Sequence, residues 1–148
     1  CKALKSVTAS GITSIGQYAF SGCSALTGIS VSSAVTSIGG YAFNGCTSLT
    51  AFTVPDSVTS IGTYAFSGCS DLASVTLNSA LKTINSNAFK NCTSLTAIAI
   101  PAGVTSISSS AFSGCTSLTS ITVNQTEGSL SGAPWGATNA TVTWAGEE

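Results

Sequence analysis

A cysteine recurs at Cys1, Cys23, Cys46, Cys69, Cys92 and Cys115, a short first step followed by four equal ones. Self-similarity at a fixed period constrains an architecture before any secondary structure is assigned. A leucine follows each cysteine at plus three: Leu4, Leu26, Leu49, Leu72, Leu95 and Leu118. Two more apolar positions come next, seen as Ile29 and Val31, Phe52 and Val54, Val75 and Leu77, Ile98 and Ile100. After a short turn that sometimes carries proline (Pro55, Pro101) stands a second apolar pair. Its members are Val35 and Ile38, Val58 and Ile61, Leu81 and Ile84, Val104 and Ile107. Ala-Phe closes each unit, from Ala19-Phe20 to Ala111-Phe112, and the first unit is one residue short between Ala9 and Ile12.

No 23-residue unit can bury its own apolar side, but stacked copies can, so the pattern predicts a repeat solenoid. "LTAFTV" alternates apolar and polar residues as a half-buried strand does, and "VTSI" predicts a second short extended segment. "YAFSGC" is too short for a full helix and predicts a helical turn. Equivalent strands then pair in parallel about 4.8 Å apart. Two units result: residues 1–123 with five and a half repeats, and 124–148 as a degenerate C-terminal capping repeat. In the latter "ATVTW" is the last strand, and Trp135 and Trp144 fall in core register, one full period after Phe112 and Ile121. Cys1 already lies inside the pattern, so the N-terminal end is expected to be cut within a longer array.

Composition narrows the chemistry. Only 6% of the residues are charged and the net charge is −1, against roughly 25% charged in an ordinary domain. With no basic face to hold phosphates, nucleic acid is a poor partner. The longest apolar runs are a few residues, too short for membrane insertion. The 43% hydrophobic content sets the chain apart from disordered sequences.

The cysteines invite three readings. Neighbours stacked about 4.8 Å apart fall within the Cα range of a disulfide. Yet each holds the same place in its coil, so their side chains point alongside one another, and burial as small apolar groups is favoured. A metal site needs ligands converging on one point, and there is neither C-x-x-C nor any histidine. Nucleophilic catalysis needs a base or a cationic neighbourhood that the sequence does not supply, and Asp56, Asp71 and Glu127 fall at unrelated repeat positions. No catalytic, metal or cofactor site is assigned.

Binding is therefore sought on exposed rows. Alternation along the first strand turns outward Ser30, Thr53 and Thr76 among other small residues, a flat uncharged face without Tyr, Trp or Arg anchors. That face reads equally well as a merely solvated sheet. Tyr18, Tyr41 and Tyr64 hold one position in three successive coils and then give way to Asn87 and Ser110. They form either an aromatic strip for a protein or a sugar, or padding beside the Phe row.

"LxxΦxΦ" (Φ apolar) resembles the first half of the leucine-rich-repeat pattern, although Ala34, Ser57, Ala80 and Gly103 stand where Asn or Cys is expected. The whole unit, "VTSIGxYAFxGCxxLTxΦxΦP", resembles the BspA-like subclass of leucine-rich repeats, a bacterial surface-protein class, over residues 1–123. The resemblance implies an open, right-handed leucine-rich solenoid in a secreted or cell-wall-associated protein. It also implies a non-catalytic adhesion role, with a host or neighbouring-cell protein or glycan as partner. A structural spacer with no ligand of its own is the alternative. Because Cys69 is read as space-filling, alkylation without denaturant should leave it largely unmodified, as mass spectrometry of the intact protein would show.

Overall fold

The computed structural model describes residues 1–146; the last two residues of the unit expected over 124–148 lie outside the described residues. Each coil gives one strand to a first parallel ladder: β1 (Ser6–Ala9), β2 (Gly28–Val31), β3 (Ala51–Thr53), β5 (Ser74–Thr76), β7 (Ala97–Ile100), β9 (Ser120–Val123) and β10 (Thr141–Trp144). The "VTSI" segments give a second ladder of shorter strands, β4 (Ser60–Ile61), β6 (Thr83–Ile84) and β8 (Ser106–Ile107). Registers step by one repeat: Phe52 lies opposite Val75, Ile61 opposite Ile84 and Ile98 opposite Ile121. The second ladder runs unbroken from Ile15 to Ile107. The first does not, because β2 leaves β3 unpaired and β5 leaves β7 unpaired. The architecture is the leucine-rich solenoid that the 23-residue period dictates.

The alternation of side chains fills the space between the ladders. Leu26, Leu49, Leu72, Leu95 and Leu118 are fully buried, as are Phe43, Phe66, Phe89 and Phe112. The Phe rings stack with centroids 5.1–5.6 Å apart, the spacing of the coils themselves. Each such side chain contributes roughly 1.5–3 kcal/mol on burial. Trp144, expected one period after Ile121, lies opposite Val123 instead, because the last coil is two residues shorter and Val142 takes the place opposite Ile121. Phe52, the largest residue in the row that Val142 ends, tilts against both Phe43 and Phe66. Trp135 is buried one repeat beyond Phe112, gives its carbonyl to the Phe112 N–H at 3.0 Å, and meets Trp144 edge-on.

The corner "YAFSGC" is not the helical turn expected. Ala65, Ser67 and Cys69 donate their N–H groups back three residues within the coil, to Gly62, Tyr64 and Phe66. The residues between them do otherwise: Tyr64, Phe66 and Gly68 donate to Ser86, Ala88 and Lys90 of the next coil at 2.7–3.0 Å. Left-handed backbone at Tyr64 (φ 57°) and Gly68 (φ 73°) produces this alternation. A helix would aim every amide along its own axis and leave none to bind the neighbouring coil. Coil-to-coil bonding therefore wins over local helicity.

Beside this corner the backbones approach closely. A Cβ on Gly62 would lie 2.6 Å from the Gly39 carbonyl carbon and the Gly40 nitrogen, whereas one on Gly28 meets nothing within 4 Å. Gly62→Ala is expected to cost about 1–3 kcal/mol of unfolding free energy through overpacking against backbone, and Gly28→Ala less than about 0.5 kcal/mol. Urea titrations of the two variants would check the contrast.

Candidate functional site

Two groups of exposed side chains, on separate segments of the coil, are candidates. The first is the tyrosine row. Tyr18, Tyr41 and Tyr64 stack with centroids 4.9 Å apart and interplanar angles of 19° and 11°. Tyr18 is 55% exposed and the other two are half-buried. Lys90 Nζ stands 6.0 Å from the centre of the Tyr64 ring and closes the column, at the limit of a favourable cation–π contact. Neither the row position nor the charge pattern marks Lys90 in the sequence, because it occupies the row of Ser67 and reaches back one coil.

The tyrosine position is unusual on backbone grounds. Tyr18, Tyr41, Tyr64 and Asn87 all have φ between 55° and 59°. That region suits Gly and Asn and costs a bulky side chain roughly 1–2 kcal/mol. Asn87 is thus the low-strain occupant, and each tyrosine is held against strain by its stacked neighbours. The rings cover one another, and Lys90 stands over Tyr64, so the column offers edges and hydroxyls outward along its length and one open ring face at its Tyr18 end.

The second group is the outer row of the first ladder. Ser30 on β2, Thr53 on β3 and Thr76 on β5 are all exposed. Thr53 and Thr76 lie opposite each other in the β3–β5 pair, but the break between β2 and β3 separates Ser30 from both. The row is therefore not one continuous surface. The sequence signal for this break is the proline in alternate coils, Pro55 and Pro101.

The cysteines form an internal ladder. The thiols of Cys46, Cys69, Cys92 and Cys115 donate to the carbonyls of Phe20, Phe43, Phe66 and Phe89 at 3.0–3.2 Å. Each of those carbonyls also accepts the N–H of the cysteine in its own coil. All six thiols are free; five are buried and Cys1 is exposed. Space-filling alone would suit alanine or valine, so the donated S–H adds a reason for cysteine. Burial and the neighbouring Cys23 thiol push Cys46 up to about 11. Burial, and then Cys46, push Cys69 further up, and its contact with Cys115 together with burial raises Cys92. A thiol held protonated in this way is a poor nucleophile.

A solenoid of parallel strands with leucine, phenylalanine and cysteine columns is a leucine-rich-repeat architecture, and comparison with known proteins gives the subclass. The family model described as "BspA type Leucine rich repeat region" matches in six copies over residues 13–132. The chain belongs to the BspA-type leucine-rich-repeat family. A leucine-rich repeat protein from Bacteroides ovatus is 37% identical over 75% of this chain and 35% of its own, with a TM-score of 0.66. A leucine-rich cell surface protein from Faecalibacterium prausnitzii is 34% identical over 81% of this chain and 39% of its own, with a TM-score of 0.62. The leucine-rich repeat protein of Treponema pallidum is 29% identical over 88% of this chain and 56% of its own, again with a TM-score of 0.62. The chain thus spans between about a third and somewhat over half the length of these relatives. No match is found among curated proteins.

The raised thiols set a sign for the pH dependence. In the unfolded chain they ionise near pH 9, whereas Cys46 in the folded coil does so only near pH 11. Between these values the folded state holds more protons, so stability is full below pH 9 and falls as pH rises. Each raised thiol should add at most about 1.4 kcal/mol per pH unit to that fall. Denaturant titrations from pH 8 to 11 would measure it, and Cys69→Ala should reduce the slope by one thiol's share.

Proposed function

We propose that this chain is a non-catalytic interaction module of a secreted or cell-surface bacterial protein, binding a partner through the outside of its solenoid. Membership of the BspA-type family supports this reading, as does a relative named as a cell surface protein. The tyrosine column is the observation that carries it. Three aromatic side chains stand in a backbone region that favours Asn or Gly, one of them the single large apolar side chain exposed among the described residues. Folding alone is better served by the Asn87 solution, so the column is kept for contact.

A protein partner suits it better than a glycan. Sugars stack on aromatic faces, and here every face but the outer one of Tyr18 is covered by a neighbouring ring or by Lys90, which leaves a single platform where a chain of sugars would need several. Edges and hydroxyls in a row 4.9 Å apart instead offer hydrogen bonds and apolar contact together, as tyrosines at protein interfaces do. Ser30, Thr53 and Thr76 supply a small, uncharged flank. Residues 124–148 serve in this reading as the cap over the last coil. The spacer alternative draws support from the scarcity of large exposed anchors.

The test is a screen of the chain against extracellular-matrix proteins and a glycan array, alongside Tyr41→Asn and Tyr64→Asn. Asn at these positions relieves backbone strain, so the variants should fold with stability within about 1 kcal/mol of the parent. Saturable binding to a matrix protein, weakened at least tenfold by either variant, is expected. Binding indifferent to both would remove the column as the site, and no saturable binding to any target would leave the spacer.

A further inference from the structure

The two interruptions of the first ladder have a common cause and a common chemistry. Ser32 and Asn124 each donate a backbone N–H to the preceding coil, to Ala9 and Ile100, both at 3.0 Å. Pro55 and Pro101 hold the equivalent place in their coils and have no N–H to give. At the other end of the strand, Thr27, Ala73 and Thr119 donate to Lys5, Thr50 and Thr96, whereas Thr50 and Thr96 find no backbone acceptor among the described residues. The coils with proline are therefore unbound to the coil before them at both ends of the strand. They are held firmly to the coil after them: Asn78 Nδ2 donates to the carbonyls of Pro55 and Val58 (2.6 and 3.0 Å), and Gln125 Nε2 to those of Pro101 and Val104 (3.3 and 2.8 Å).

Each seam opens a cleft. One of about 470 Å³ lies between β2 and β3, and one of about 330 Å³ between β5 and β7. The last apolar residue before each seam is uncovered: Val31 and Leu77 are half-buried, whereas Val54, Ile100 and Val123 in the same row are buried. Asp56, exposed, is the one charged residue lining either cleft.

We propose that the two clefts together bind an extended, proline-rich peptide laid across the coils. Its apolar residues at i and i+3 would enter the two seams, with a basic residue near Asp56. The seams are two coils apart, about 10 Å. A polyproline II segment brings i and i+3 to one face about 9.3 Å apart and makes no internal hydrogen bonds. Its carbonyls are therefore free for the unpaired amide of Thr50, which lines the first cleft. An extended β-strand offers same-face spacings of about 7 or 14 Å and fits poorly. An α-helix matches at i and i+7, about 10.5 Å, but its carbonyls are already used and its girth keeps its backbone away from the Thr50 amide in the first cleft. The lone carboxylate on an otherwise uncharged lining sets the sign of the partner's charge.

This inference rests on the interaction-module reading, yet the two can fail separately. A matrix-protein hit without peptide binding removes the peptide site and leaves the module. The probe is fluorescein-labelled Lys-Pro-Pro-Leu-Pro-Pro-Leu-Pro, followed by anisotropy, with a leucine-to-serine version and an alanine-based helical peptide carrying leucines seven apart as controls. Saturable binding of the first alone is expected, weakened severalfold by Asp56→Ser and by added salt. Pro55→Ser, which installs the residue found at Ser32, should close the first seam. Slower hydrogen exchange at Thr50 reports that closure, and affinity should fall at least tenfold. Any of four results overturns the proposal: no saturable binding, equal binding of either control, a Pro55→Ser variant that protects Thr50 yet binds as before, or one that leaves Thr50 exchange unchanged.

Discussion

Everything in this molecule depends on one arrangement: backbone amides aimed along the solenoid axis, from coil to coil. A coil this short, with no helix, has few partners of its own for its N–H and C=O groups, and buried ones must be paired. The corner shows how this is met, with amides alternately closing the turn and binding the next coil. The bonds fix the rise per coil at about 5 Å, and that rise forces equivalent side chains into contact with their own kind. Phe stacks on Phe and Tyr on Tyr because the backbone leaves no other spacing. The columns are consequences of the amide arrangement before they are sources of stability.

Period and row assignment are legible in the sequence because repetition multiplies a weak local signal. Val58, Ile61, Phe66 and Cys69 are ambiguous in one coil and unmistakable in five. The corner reads as helical because "YAFSGC" has acceptable helical composition, whereas its true conformation is decided by the neighbouring coil, a full period away. Nothing in the identity of Tyr64 announces a left-handed backbone; Asn87 and the glycine two residues before the tyrosine hint at it only once the turn is seen. The thiol-to-carbonyl bonds are hidden likewise, since the acceptor Phe43 lies 26 residues before Cys69. Lys90 is hidden because it acts across rows, where a row-by-row reading does not look.

The outer row shows a different limit. Ser30, Thr53 and Thr76 share a register in the sequence and lie in line in the fold, but the break between β2 and β3 divides them. Proline is visible in the pattern as an optional turn residue. Its effect comes from a missing donor, and an absent hydrogen bond has no residue of its own to mark it. Only the pairing of whole strands shows that an optional residue divides the sheet.

That division has a mechanical side. Tension along the solenoid axis is carried by the columns of amide bonds that link one coil to the next. Where the first ladder is whole, the load is shared between the two strand ladders and the corner. At the two proline coils the first strand carries no such bond and only the segment just before it is tied back, by Thr47 to Ser24 and by Thr93 and Ser94 to Ser70, while the Ile15–Ile107 ladder and the tyrosine corner remain bonded. Under stretch or shear the stack yields there first, hinging open on its intact side as a book opens at its spine. The sequence thus places compliance at intervals along an otherwise stiff rod, by the position of two residues.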